Sequence, residues 1–120
     1  PSPPRLSVTG PCQISGDCVR SPGFPWANYG PDQECLFINV PPIPITVSAF
    51  DVEPHPYCRY DGLIIDGIRY CGSTGPSGVV SEEMIWSSDT GTEGAGWELC
   101  WVSPPPPPSP PQPPQPPALP

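Results

Sequence analysis

Apolar positions in this chain come in short bursts. Leu36-Phe37-Ile38-Asn39-Val40, Ile45-Thr46-Val47-Ser48-Ala49-Phe50, Leu63-Ile64-Ile65, Met84-Ile85-Trp86 and Trp97-Glu98-Leu99-Cys100-Trp101 are rich in β-branched and aromatic residues, and each is bounded by Gly, Pro, Asp or Ser. Bursts of this length with that punctuation predict strands. No segment carries a ten-residue apolar pattern at the helical period, so no amphipathic helix is predicted. The sharpest local signal is Ile64-Ile65-Asp66-Gly67-Ile68-Arg69-Tyr70. Asp-Gly between two strand-like runs favours a type I′ hairpin, because both central residues need positive φ. Many short strands with frequent turns point to an all-β sandwich or barrel.

The rest of the chain is uneven in a way that sets its boundaries. Of 25 prolines in 120 residues, three lie within 1–4 and twelve within 104–120. That leaves 6–102 as the stretch able to bury a core, with 1–5 and 103–120 as proline-rich linkers. The second linker, Ser103 to Pro120, is too rich in proline for a backbone ladder and too poor in apolar groups to fold. It is expected as a stiff polyproline II rod, on the order of 3 Å per residue, that spaces one module from the next. Its serine-then-proline runs resemble, in composition alone, the hydroxyproline-rich glycoproteins of plant and green-algal walls. Pro1-Ser2-Pro3-Pro4 looks like the end of another such rod. The folded part then reads as a bead between two spacers in a larger multidomain chain.

Charge removes several partners. There is no lysine, and four arginines face twelve acids for a formal net charge of -8. Phosphate backbones and anionic lipid surfaces are bound mainly through Lys and Arg, which argues against nucleic acid and membrane surfaces and in favour of a basic partner or a cation. No run approaches the roughly 18 to 20 apolar residues that a bilayer span needs, so direct membrane insertion is not expected. No charged-then-apolar signal segment opens the chain, as for an internal fragment or a chain whose signal has been removed.

Six cysteines, Cys12, Cys18, Cys35, Cys58, Cys71 and Cys100, are an even number at a density that cytosolic proteins rarely reach. They read as three structural disulfides and imply an extracellular location, secreted or at the cell surface. A zinc site is the weaker competitor, since there is no C-x2-C pair and His55 is the single histidine. Six cysteines allow 15 pairings, which spacing cannot sort.

Read in order, the local motifs carry a family resemblance. Ser21-Pro22-Gly23-Phe24-Pro25 with Tyr29 resembles the Ser-Pro-x-Tyr-Pro-x-x-Tyr segment of CUB domains. Cys35-Leu36-Phe37 is similar to their Cys-x-Trp strand, Phe50-Asp51-Val52-Glu53 to their Phe-x-x-Glu, and Cys58-Arg59-Tyr60-Asp61 to their Cys-x-Tyr-Asp. Tyr70-Cys71-Gly72, Ser88-Asp89 and Gly96-Trp97 resemble their Phe-Cys-Gly, Ser-Asp and closing Gly-Phe. Seven pieces in register span essentially all of Pro11 to Trp101.

The resemblance implies a jelly-roll-like β-sandwich of two antiparallel sheets, with Cys12 joined to Cys35 and Cys58 to Cys71. Cys18 and Cys100 fall outside the common pattern. A third bridge between them is one reading, and an exchanged set, Cys18 with Cys35 and Cys12 with Cys100, is the other. The resemblance also implies a Ca²⁺ site built from Glu53, Asp61 and Asp89, with further oxygens from Thr90-Gly91-Thr92, where Gly91 can offer a carbonyl. Tyr29 stands where the family places a tyrosine that supports the site. Calcium-binding CUB domains use the metal to order loops and orient carboxylates, which then receive a Lys or Arg from a protein partner. The partner-binding residues so implied are Tyr29, Glu53 and Asp61, and glycan is the second ligand class.

Without the resemblance, acids at loop ends are ordinarily just solvated. Crowding three carboxylates is unfavourable unless a cation neutralises them, and hard oxygen ligands suit Ca²⁺. His55 between Pro54 and Pro56 reads as an exposed loop residue, and no serine or cysteine is tied to it by a nucleophile motif. Trp26 is either a surface contact or a cover for the sandwich end, while Trp86, Trp97 and Trp101 sit on strand patterns and read as core. Glu82-Glu83 reads as a solvated turn. The sequence therefore describes a non-enzymatic, calcium-dependent extracellular interaction module. The alternative is a structural bead of a proline-rich extracellular matrix or cell-wall glycoprotein.

Overall fold

The computed structural model describes residues 5–91, 93–102, 108–111, 113–114 and 116–117. The linker stretches 1–4 and 103–107, the remaining tail positions and the candidate loop ligand Thr92 lie outside the described residues. Within them the chain forms nine strands: β1 (Ser7–Thr9), β2 (Gln13–Ser15), β3 (Cys18–Arg20), β4 (Glu34–Ile38), β5 (Thr46–Asp51), β6 (Gly62–Ile65), β7 (Ile68–Tyr70), β8 (Met84–Ser87) and β9 (Gly96–Cys100). They make two antiparallel sheets, one ordered β1-β4-β8-β6-β7 and one ordered β2-β3-β9-β5. This is the disulfide-stabilised all-β sandwich that the strand pattern and the resemblance imply.

Local chemistry accounts for the strand ends. Asp66 and Gly67 form the two-residue link between β6 and β7, with φ of 50° and 81°, the positive values a type I′ hairpin requires. The predicted strand 36–40 begins two residues earlier and stops at Ile38, because Asn39 turns to φ 56°, a conformation that Asn tolerates better than most residues. β1, β2 and β3 have no counterpart among the predicted strands. Each is three residues long, and a period-2 pattern cannot declare itself over so short a run.

The core lies between the sheets. β4 alternates cleanly, with Cys35 and Phe37 buried and Glu34, Leu36 and Ile38 facing out. Trp86 of β8 and Trp97 of β9 meet edge to face across the interior at 5.6 Å, and Tyr29 meets Trp86 at 4.7 Å. Val19, Leu63, Ile65 and Leu99 fill the gaps between these rings. Burying each such side chain contributes roughly 1.5 to 3 kcal/mol, so the rings and aliphatic residues together hold the sheets in place. Trp101 is also buried, as its strand pattern implied, whereas Trp26 stands in solvent and covers nothing.

All six cysteines are paired. Cys12 joins Cys35, Cys58 joins Cys71, and Cys18 joins Cys100, so the exchanged set is not the one the chain adopts. The reason lies in the register: Cys18 and Cys100 stand directly opposite each other on the neighbouring strands β3 and β9, with Cα atoms 4.0 Å apart.

The register also defines two poles. The first holds the end of β5, the start of β6, the end of β8 and the start of β9, since Asp51 faces Gly96 and Gly62 faces Ser87. The opposite pole holds the Asp66-Gly67 turn and both ends of the folded region. Asn39 donates to the Arg5 carbonyl there, and the Trp101 N–H donates to the Asp17 carbonyl.

Candidate metal centre

Two features of the register bring the acids together at the first pole. Gly62 and Ser87 are paired across β6 and β8, so Asp61, just before one, and Ser88-Asp89, just after the other, leave their strands side by side. β5 in the opposite sheet runs on into Val52, whose N–H donates to the Gly72 carbonyl at 3.0 Å and sets the path of the chain into Glu53. As a result, Glu53, Asp61 and Asp89 each offer a carboxylate oxygen, and the three oxygens lie within 4.8 Å of one another.

A hydrogen-bond frame fixes two of these side chains. The Tyr29 hydroxyl donates to Asp61 Oδ2 at 2.5 Å and accepts from the Glu53 N–H at 3.0 Å. The Asp89 N–H donates to Asp61 Oδ1 at 2.8 Å, and the Gly91 N–H donates to Asp89 Oδ1 at 2.9 Å. Ser88 holds the loops to each other: its hydroxyl donates to the Gly30 carbonyl at 2.8 Å and accepts from the Gln33 N–H at 2.9 Å. The Asp32 N–H adds a bond to the Asp89 carbonyl. The third acid is not so provided for. Glu53 Oε2 is buried and has no hydrogen-bond partner among the described residues.

The electrostatics follow from this crowding. Burial pushes the Asp61 carboxyl above its ordinary range, although the bonds from Tyr29 and the Asp89 N–H act the other way, and the neighbouring Asp89 raises it further. Glu53 is raised by burial and then by the charges of Asp61 and Asp89. Burial and the bond to Asp61 raise the Tyr29 hydroxyl, so it stays protonated and can remain a donor. A cation relieves all of these penalties at once. The donors are all oxygen, two carboxylates are oriented by fixed bonds, and a third presents an unpartnered buried oxygen. Such a set fits a hard divalent ion, and the cluster can coordinate one. A second grouping, Cys18 with Glu98 and Cys100, has both sulfurs tied up in a disulfide, while Glu98 is paired with Arg20.

Tyr29 and Asp61 are both 0% exposed, bonded to each other and to the Glu53 and Asp89 N–H groups. Glu53 and Asp89 are only partly buried as whole residues. Gly91 is exposed and orders Asp89 through its N–H. His55, expected as an exposed loop residue, has a structural part in the site loop. It is partly buried, and its Nδ1 accepts from the N–H groups of Tyr57 and Arg59 at 3.0 and 3.3 Å while Tyr60 packs edge-on to its ring at 4.5 Å. With the Cys58–Cys71 bridge, it shapes the loop that separates Glu53 from Asp61. The flanking prolines, Pro54 and Pro56, were the available signal. Glu82 and Glu83 are exposed, as a solvated turn implies.

The most exposed aromatic rings also gather at this pole. Tyr57 and Tyr60, 73% and 49% exposed, sit on the loop between the acids, and Trp26, 92% exposed, sits on the loop that carries Tyr29. The Arg59 guanidinium lies 5.6 Å from the centre of the Tyr57 ring.

No family model matches the chain. Human procollagen C-endopeptidase enhancer 1 is 36% identical to it over 71% of this chain and 22% of its own length. Human cubilin is 30% identical over 78% of this chain and 3% of its own length, and zebrafish (Danio rerio) neuropilin-1a is 31% identical over 71% and 11%. The fold is CUB-domain-like. This CUB-like module spans about a fifth of the length of the first curated relatives it matches.

Proposed function

We propose that this CUB-like module is extracellular, that it binds Ca²⁺ through Glu53, Asp61 and Asp89 with the Gly91 carbonyl as a further ligand, and that the ordered acids receive a Lys or Arg side chain of a protein partner. The observation that carries this reading is the unpartnered, buried Glu53 Oε2 inside a cluster of three carboxylates. Bound calcium supplies charge neutralisation and fixes loop geometry. The protein's own residues do the rest. Tyr29 and the Asp89 N–H orient Asp61, Ser88 holds the loops together, and Glu53 and Asp89 face the incoming base. A charge-assisted bond at this partly shielded site is stronger than one in open water. Tyr57, Tyr60 and Trp26 supply apolar contact around it. The name of one relative is in keeping with such a role, since it is an enhancer of an endopeptidase. Three disulfides support the extracellular location.

Thermal unfolding with added CaCl₂ tests the metal. A ligand bound only by the folded state stabilises it by about 2.7 kcal/mol at a hundred times its Kd. Asp61→Asn and Asp89→Asn should fold and lose this response, and an unchanged response in both would refute the ligand assignment. A surface coated with polylysine should then retain the protein in calcium and release it in chelator or high salt, and the same surface after acetylation should not retain it. Fifteen prolines crowded into the two ends favour a second reading, a structural bead of a proline-rich matrix. In that case the proline-rich ends associate and polylysine retention is independent of calcium.

A further inference from the structure

The two ends of the folded region and its longest-range disulfide together determine how the module carries tension. Both ends leave at the pole opposite the acids: Ser7 faces Ile38 on β4, and Cys100 faces both Cys18 on β3 and Thr46 on β5. If the ends are pulled apart there, β1 and β9 open from their tips, so each hydrogen-bonded pair bears the whole force in turn. Non-covalent contacts alone resist this mode poorly. Cys18 and Cys100, however, are bonded to each other just inside the two ends and directly across β3 and β9.

We propose that the Cys18–Cys100 bond is a force shunt. Tension entering at residue 5 reaches Cys12, where the bridge to Cys35 ties the chain to β4, and its shortest covalent route then runs on to Cys18, crosses the disulfide to Cys100 and leaves through Trp101. The 82-residue separation between the two cysteines is thereby taken out of the mechanical path. Glu53, Asp61 and Asp89 all lie within the bypassed stretch, as do the loops that carry Tyr29 and His55. Only β1 and β2 lie outside it, and Cys12–Cys35 tethers the segment between them to β4. The arrangement caps the extension of the module, because the Cys12–Cys35 branch and the loops beyond it cannot be drawn out while the shorter route through Cys18–Cys100 is intact.

Single-molecule stretching through handles at the two ends tests this directly. At about 3.4 Å per residue, the oxidised protein should lengthen by no more than roughly 50 Å, the reach of the segment before Cys18. A Cys18→Ser/Cys100→Ser variant, with its other two disulfides intact, should release on the order of 170 Å in addition. If that variant does not fold, oxidised wild type held under constant force and then exposed to reductant should give the long step upon cleavage of a disulfide. A long step from the oxidised protein, or no added length after the bond is removed or cleaved, would overturn the proposal.

Discussion

The two poles of this sandwich are built on opposite principles. At the far pole the chain reverses through Asp66-Gly67, a turn whose residues suit their own backbone angles, and nothing distant is needed to hold it. At the acid pole no short segment is self-sufficient. Asp61 depends on Tyr29 and Asp89, Glu53 depends on Tyr29, and Ser88 spans the Gly30 and Gln33 backbone. The first pole is local chemistry, and the second is long-range convergence that gathers like charges the fold alone does not neutralise. The unfavourable feature lies where a ligand can relieve it, which is what distinguishes a site from a turn.

The contrast can be broken most forcefully at the loop between the acids. Cys58→Ser/Cys71→Ser removes a bridge spanning 13 residues and should lower stability by about 3 kcal/mol, a loss of roughly 12 to 24 °C in Tm for a domain of this size. Because Glu53 and Asp61 flank that loop, the calcium-induced rise in Tm should disappear as well.

A paired glycine substitution sharpens the comparison. A side chain at Gly94 would place its Cβ 2.3 Å from the Asp51 carbonyl oxygen and 3.1 Å from Val52 Cα, on the backbone that leads into Glu53. Gly94→Ala should therefore cost roughly 1 to 3 kcal/mol and weaken the calcium response. At Gly67 a Cβ meets no atom within 4 Å, and only the positive φ of 81° opposes it. Gly67→Ala should cost about 1 kcal/mol and leave the calcium response unchanged. Equal effects of the two on calcium binding would erase the distinction between the poles.

The smallest effect is in pH. Glu53 and Asp61 hold their protons more tightly folded than unfolded. Their contribution to stability is thus fully present below the ordinary carboxyl range near pH ~4 and is lost as the pH rises through their raised folded values. In chelator, Tm should fall as the pH is raised across that window, and Asp61→Asn should flatten the fall. In calcium the slope should reverse, because protons and metal compete for the same oxygens. A metal-free melting curve that steepens upward with pH would contradict the raised carboxyls.

The fold was largely legible where the physics is local. Five strands announced themselves by β-branched and aromatic bursts, and Asp66-Gly67 marked its own hairpin. β1 to β3 were illegible because three residues leave no period to read, and their pairing is dictated by partners far along the chain. The acids Glu53, Asp61 and Asp89 look like ordinary loop residues until a motif or a register places them together. The supporting roles of Ser88 and His55 lie deeper still. Each acts through backbone groups of other residues, and no side-chain pattern records such bonds.

Because the folded region begins and ends at one pole, its acid pole points away from whatever the ends are attached to. Copies held side by side by their ends would face outward like the bristles of a brush. If that pole captures basic groups as proposed above, a surface that repeats the same group makes the second capture intramolecular, at an effective concentration fixed by the stiffness and length of the tether. Retention by such an array would rise by orders of magnitude over a single copy without one new contact.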